Sequence, residues 1–256
     1  MRSHRLFAAF FRASTARASV RWLALAAVLL LGPVLARAES PTILVFSKTA
    51  GYRHSSIEPG IRAIIKLGEQ HGFRVMATED ARAFTPTNLQ RYAAVVFLCT
   101  TGDVLDAEQQ RAFETYIEDG GGYVGVHAAA DTEYDWPWYG KLVGAWFDSH
   151  GAVQKAAVLP AEPFGEAPLP TPWIRRDEWY NFKHLPQHVQ VVLKLDTKSF
   201  HGSKHPGNHP IAWYHEVGTG RAFYTGLGHT DESYSEPLFL AHLLDGIQFV
   251  MRRVSE

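Results

Sequence analysis

Apolar runs alternating with stretches of helical period set the frame of this chain. Thr42-Ile43-Leu44-Val45-Phe46-Ser47 is a continuous apolar run and predicts a buried first strand. Lys48 to His54 reads as a loop, and Ser55 or Ser56 as the cap of a helix carrying Ile57, Ile61, Ile64, Ile65 and Gly68. Phe73 to Thr78 and Ala94 to Cys99 predict two further strands. Asp106 with Gln109 has the form of a capping box, opening a helix with Phe113, Tyr116 and Ile117 on one face. Gly120-Gly121-Gly122 stops that helix, and Tyr123-Val124-Gly125-Val126 suits a strand packed on both faces. His127 then stands at a sharp turn before Ala128-Ala129-Ala130, which suit a close-packed helix start. This alternation predicts an α/β fold, a mostly parallel sheet with helices on both faces.

The pattern changes after Asp131. Trp136, Pro137, Trp138, Tyr139, Trp146, Phe147 and His150 form an aromatic-rich excursion, and Pro160 to Pro172 a proline-rich loop; both are expected to lie over the site. Val189 to Leu195, Ile211 to Glu216 and Arg221 to Gly226 predict strands, and Pro237 to Arg252 a closing amphipathic helix.

The first residues follow another logic. Arg2, Arg5, Arg12, Arg17 and Arg21 precede a short apolar run from Trp22 to Leu31, and Ala36-Arg37-Ala38 has the form of a cleavage site. Residues 1–38 therefore read as a signal peptide, with the mature chain starting at Glu39 as a single domain over residues 42–253. A periplasmic or secreted protein is expected, with no membrane association once the leader is cut.

Charge adds little. Lys and Arg total 25 against 26 Asp and Glu, and loss of the leader's arginines leaves an acidic mature protein, which argues against nucleic-acid or anionic-membrane partners. The single cysteine, Cys99, excludes an intramolecular disulfide and a thiolate metal cluster, and its place after an apolar run marks it as inert. The 13 His, 7 Trp and 10 Tyr are rings with polar edges, which suit a small-molecule carbohydrate. A homo-oligomer is compatible with all of this.

Candidate chemistry falls at strand ends and in loops. His54 follows the first strand, His127 the glycine-rich one, and His229 stands in Gly226-Leu227-Gly228-His229-Thr230. Glu178 and Tyr180 lie in Arg176-Asp177-Glu178-Trp179-Tyr180-Asn181-Phe182. Carboxyl ends of parallel strands converge on one crevice, so His54, His127, Glu178 and His229 are expected to share it, with His150 reaching in from the excursion. A lone histidine near a helix start is as often a surface residue; it is the four together that point to a site.

These residues resemble the trehalose-utilisation (ThuA-like) family, whose fold is similar to flavodoxin-like class I glutamine amidotransferases. The resemblance is carried by Thr49-Ala50-Gly51-Tyr52-Arg53-His54-Ser55-Ser56, by Gly121 to Ala129, by Asp177-Glu178-Trp179-Tyr180 and by Gly220 to His229. His127 stands where the amidotransferases carry their nucleophilic Cys, so glutaminase activity is not implied. Gly228-His229-Thr230-Asp231-Glu232 looks like a modified form of their His-Pro-Glu, and where the ThuA-like family usually has a His-Pro pair this chain has Ser149-His150-Gly151.

The resemblance implies carbohydrate metabolism and disaccharides oxidised at the 3-position of glucose. A lyase or hydrolase acting on a 3-keto-glycoside, or an isomerase, needs a base, an acid and a positive charge on the enolate. His127, Glu178 and His229 are the catalytic candidates, and Tyr52, Asp131, Trp136 and Tyr180 the substrate-binding ones. His54, His127 and His150 are candidates to hold a divalent metal, zinc or manganese, and no nucleotide cofactor is expected. The alternative is a non-catalytic carbohydrate-binding protein with Trp136, Trp138, Trp179 and Trp213 as stacking platforms. An amidohydrolase or esterase is the weakest reading, since neither Ser55-Ser56 nor Cys99 lies in a Gly-x-Ser/Cys-x-Gly elbow.

Overall fold

The computed structural model describes residues 40–251 apart from Pro168. The predicted signal peptide lies outside the described residues. Five parallel strands form one half of the sheet: β1 (Thr42–Phe46), β2 (Arg74–Thr78), β3 (Ala94–Leu98), β4 (Gly122–Val126) and the late strand β11 (Gly220–Thr225). Their spatial order is β2-β1-β3-β4-β11, the 2-1-3-4-5 order of flavodoxin-like folds. All five residues of β3 and of β4 are buried, as expected of strands covered on both faces.

Adjacent residues of β4 show how both faces are covered, because successive side chains point to opposite sides. Gly122 lies against Val250 of α5 (Pro237–Met251), while Tyr123 packs on Phe113 of α3 (Ala107–Glu118) and Tyr139 of α4 (Pro137–Val143). The helix α1 (Ile57–His71) contacts α5 and so shares its side. A short helix α2 (Pro86–Leu89) joins α3, whose Asp106 and Gln109 form both halves of the expected capping box.

Of the second half of the sheet the sequence predicts only the strands over Val189 to Leu195 and Ile211 to Glu216. After α4 come β5 (Phe147–His150), β6 (Gln154–Pro160), β7 (Trp173–Asp177), β8 (Tyr180–Phe182), β9 (Gln190–Leu195) and β10 (His209–Val217). Four of these continue the sheet antiparallel beyond β11 in the order β10-β9-β6-β7, and β5 pairs separately with β8. Although β7 lies four strands from β11, its inward Trp173 donates to Glu236 at 2.7 Å and contacts His242 of α5, so the antiparallel half curls around that helix. This curl returns the residues after β7 to the end of β11.

The proline-rich loop does not cover the crevice expected beneath it. Phe164 stacks on Phe223 and Tyr214, and Asp245 of α5 accepts from the Glu166 and Ala167 amides, which places the loop on the α5 face of the sheet. The helix expected after His127 is reduced to a 3-10 turn, His127–Asp131. Ser56 stands at the N-cap of α1 without capping it; its hydroxyl donates instead to the Gly228 carbonyl at 3.1 Å. Among the described residues no helix is long and apolar enough to cross a membrane.

Close approach of α5 to β11 depends on Gly246, where an added methyl group would overlap the fully buried Phe223 ring. Gly246→Ala is expected to lower the unfolding free energy by about 1–2 kcal/mol, overpacking outweighing the roughly 1 kcal/mol gain in helix propensity. Urea denaturation checks this; equal or greater stability would show that the helix shifts at no cost.

Candidate active site

Three of the four candidate side chains are delivered by loops at the carboxyl edge of the parallel strands. His127 follows β4 with φ 50°, a left-handed conformation that L-residues rarely adopt, and its ring is buried. Gly226, after β11, offers its carbonyl to His127 Nδ1 at 3.1 Å. A carbonyl only accepts, so Nδ1 carries the proton and Nε2 presents a lone pair. Tyr180 packs its ring on His127 with centroids 4.2 Å apart, and the Tyr224 hydroxyl donates to the His127 carbonyl.

Around that lone pair the others gather. His229 Nδ1 lies 3.1 Å from His127 Nε2 and 3.2 Å from Glu178 Oε2, and Glu178 Oε2 is 3.5 Å from His127 Nε2. His54 meets both histidine rings edge to face at 4.9 and 5.1 Å. One ligand atom from each of His54, His127, Glu178 and His229 lies within 4.8 Å of the other three. The structure thus brings these four residues together. Glu178 arrives from the turn between β7 and β8, which the curled antiparallel half carries over the sheet edge.

Burial opposes the Glu178 charge, but the imidazoles packed against the carboxyl outweigh it, His229 with the proton on its Nδ1 above all, and hold it well below the ordinary carboxylate range. Burial likewise opposes the His229 imidazolium, and the Glu178 bond and charge reverse the sign, raising its pKa. His54 has no such partner: burial, then the neighbouring histidines, push it down to about 3. It stays neutral at pH 7, and its buried Nδ1 has no hydrogen-bond partner.

Those donors fit a divalent metal. Neutral imidazoles and an ionised carboxylate are ordinary ligands, His54 Nδ1 is an orphan that a cation would satisfy, and the Gly226 carbonyl fixes the His127 tautomer as outer-shell partners of metal ligands do. The separations of 3.1 to 3.5 Å among His127, Glu178 and His229 are close to the roughly 3.4 Å between ligand atoms of a tetrahedron with bonds of about 2.1 Å.

The remaining candidates divide between rim and interior. His150, expected as a metal ligand, lies outside the four-residue cluster. Pairing of β5 with β8 sets it beside Tyr180 on the solvent side, its side chain 43% exposed, where Nδ1 is shared between Glu178 Oε1 at 3.0 Å and the Gly151 carbonyl at 2.8 Å. Tyr52 is 67% exposed beside His54, at the rim. Asp131 is half-buried; burial raises its pKa against the 2.6 Å bond it accepts from Tyr134. Trp136 packs into the core against Trp138 and Tyr139, because α4 folds back onto the sheet, and offers substrate no free face. Tyr180, at 3% exposure, serves as the floor under His127 and not as an open binding surface. Trp179 and Trp213 are also buried, each donating its indole N–H to a backbone carbonyl.

Cys99 has an unexpected backbone. Its φ is 51°, so β3 ends in the same left-handed turn as β4, a geometry that its sequence neighbours do not signal. Burial nevertheless pushes the thiol up to about 12, which leaves no thiolate for nucleophilic attack at pH 7. On the sequence alone Ser56 has only a capping role and Asp177 and Tyr234 have none, yet the side chains of all three bind the backbone of Gly228.

A family model described as ThuA, trehalose utilisation, matches residues 42–250. A ThuA-like protein from Bacteroides uniformis ATCC 8492 has a similar structure, with a TM-score of 0.71 and 25% identity over 84% of this chain and 93% of that one. A ThuA-like protein from Parabacteroides merdae ATCC 43184 follows at TM-score 0.69 and 19% identity, covering 84% of this chain and 92% of the other. A β-galactosidase from Bacillus circulans sp. alkalophilus shares only the fold, at TM-score 0.53 and 12% identity over 83% of this chain and 31% of its own. No curated protein matches the sequence.

Relative to ordinary values of 4.5 and 6.5, the lowered Glu178 and raised His229 stabilise the metal-free protein most between roughly pH 4.5 and 6.5. The Glu178 contribution is lost as pH falls through its depressed value, and that of His229 as pH rises through its raised one. Since a cation must displace the His229 proton, zinc affinity is expected to rise about tenfold per pH unit below the His229 pKa, with about one proton released. Calorimetric titration in buffers of differing ionisation enthalpy measures both; pH-independent binding would contradict the arrangement.

Proposed function

We propose that this chain, which belongs to the trehalose-utilisation (ThuA) family, is an exported enzyme that cleaves or isomerises a 3-keto-glucoside or a related oxidised disaccharide. The supporting observation is the meeting of three imidazoles and one carboxylate at the carboxyl edge of the sheet. Ordinary glycosidases use two carboxylates flanking the glycosidic bond, whereas here one carboxylate stands among histidines.

A ketone at C3 acidifies the C2 proton. A base takes it, and the enolate electrons expel the glycosidic oxygen from C1, leaving a C1–C2 double bond and an alkoxide that takes up a proton. Water then adds at C1 as C2 regains its proton, and the sum is hydrolysis. His229 suits the base: it is the most open of the four, with 21% side-chain exposure against 9% for Glu178 and none for His127. His150 at the rim suits proton delivery to the leaving oxygen, with Glu178 holding its Nδ1. Tyr52, exposed beside His54, suits a substrate contact, and Asp131 is the second candidate. Buried His127 and His54, with Glu178, suit the role of ligands. A divalent zinc or manganese ion held there supplies positive charge for the enolate oxygen. The binding-only alternative relied on tryptophan platforms, and the burial of Trp136, Trp179 and Trp213 weakens it.

Turnover of 3-keto-glucosides by the metal-loaded protein tests this reading. His229→Ala is expected to lower the rate at least about 100-fold with little change in melting temperature, while Cys99→Ala keeps it. Full activity of His229→Ala, or after chelation, would contradict the assignment. Export is tested apart: the mass of the protein recovered outside the cytoplasm should correspond to a chain starting at Glu39, and retention of Met1 would mean that the leader is not cut.

A further inference from the structure

Asp177 is buried, and both of its carboxylate oxygens are used twice. Oδ1 accepts from the Glu178 amide at 3.0 Å and the His229 amide at 3.1 Å; Oδ2 accepts from the Gly228 amide at 2.9 Å and from Arg175 Nη2 at 3.0 Å. Two of these donors belong to cluster residues on separate loops, one after β7 and one after β11. Gly228 has φ 107°, a conformation that favours glycine, and its carbonyl is gripped from the other side by Ser56 at 3.1 Å and Tyr234 at 3.2 Å. The peptide groups on both sides of Gly228 are therefore fixed by buried side chains, and the direction of the His229 side chain follows from them.

We infer that Asp177 is a positioning residue, holding His229 and Glu178 in register with His127 through backbone amides while touching neither substrate nor metal. Arg175 has a different part. Its guanidinium is buried over Trp173 and Phe239, donates to Ser233 at 2.7 Å and balances the Asp177 charge, but it contacts none of the four cluster residues. The pair thus separates into a half that sets geometry and a half that sets stability. The inference rests on the cluster reading given under Proposed function.

Asp177→Asn puts an NH2 group where one of the two oxygens receives N–H donors, so at least one amide loses its acceptor. Arg175→Met leaves all three backbone donors in place. With zinc alone as probe, Asp177→Asn is expected to weaken affinity at least about tenfold, the range for lost outer-shell support. Arg175→Met should stay within about threefold of wild type even though its melting temperature falls at least as far. Equal zinc affinity in Asp177→Asn and wild type would overturn the inference, as would losses of affinity that simply track stability in both variants. Hydrogen exchange in the unaltered protein needs no variant to fold: Gly228 and His229 amides should be protected, and exchange at free-loop rates would overturn the brace. Absence of zinc binding in the wild type would instead mark failure of the metal reading, and the amide exchange then decides for or against Asp177.

Discussion

The lone pair on His127 Nε2 governs the site. It exists because the Gly226 carbonyl claims the proton of Nδ1, and it points at a second imidazole and a carboxylate 3.1 and 3.5 Å away. Electron-rich atoms at such distances, shielded from bulk water, repel one another unless a cation lies between them. Without metal, the proton on His229 Nδ1 fills that need, which is why Glu178 is strongly acidic and His229 unusually basic. His54 is left with nothing: neutral, buried, and with an orphaned Nδ1. One proton can serve three of the four donors; a divalent ion held by His54, His127 and Glu178 would satisfy His54 as well and leave His229 free as a base.

Such an arrangement stands only on a scaffold that is stable elsewhere. The parallel strands β3 and β4 supply that stability through wholly buried side chains, and Phe97 stacked on Phe113, both meeting Tyr123 edge to face, fills the space beneath α3 and α4. Left-handed turns at Cys99 and His127 are strained conformations held by the packing around them, and both fall where strands end at the crevice. The antiparallel half then closes the site, because its curl around α5 is what brings Glu178 to histidines delivered by strands far from it in the sheet.

Much of this was legible in the chain. Continuous apolar runs identified the parallel strands, the glycine triplet marked the end of α3, and strand-end positions picked out His54, His127 and His229. What escaped reading was whatever depends on contacts distant in sequence. Trp136 and Tyr180 look like binding rings in a list of residues, yet their burial is decided by how α4 and β8 fold back onto the sheet. His150 has the chemistry of a ligand, but β5 pairing with β8 leaves it at the rim. Ser56 occupies a helix N-cap and bonds instead to Gly228, 172 residues away. No local pattern separates a capping serine from a bracing one, and the left-handed turn at Cys99 has no glycine to announce it.

Anomalous diffraction from crystals of the zinc-soaked protein, recorded at the zinc edge, tests the central claim most directly. The account predicts one dominant peak about 2.0–2.2 Å from ligand atoms of His54, His127 and Glu178, with His229 beside it. A peak elsewhere, or an ordered water among the four side chains with no anomalous signal, would contradict it.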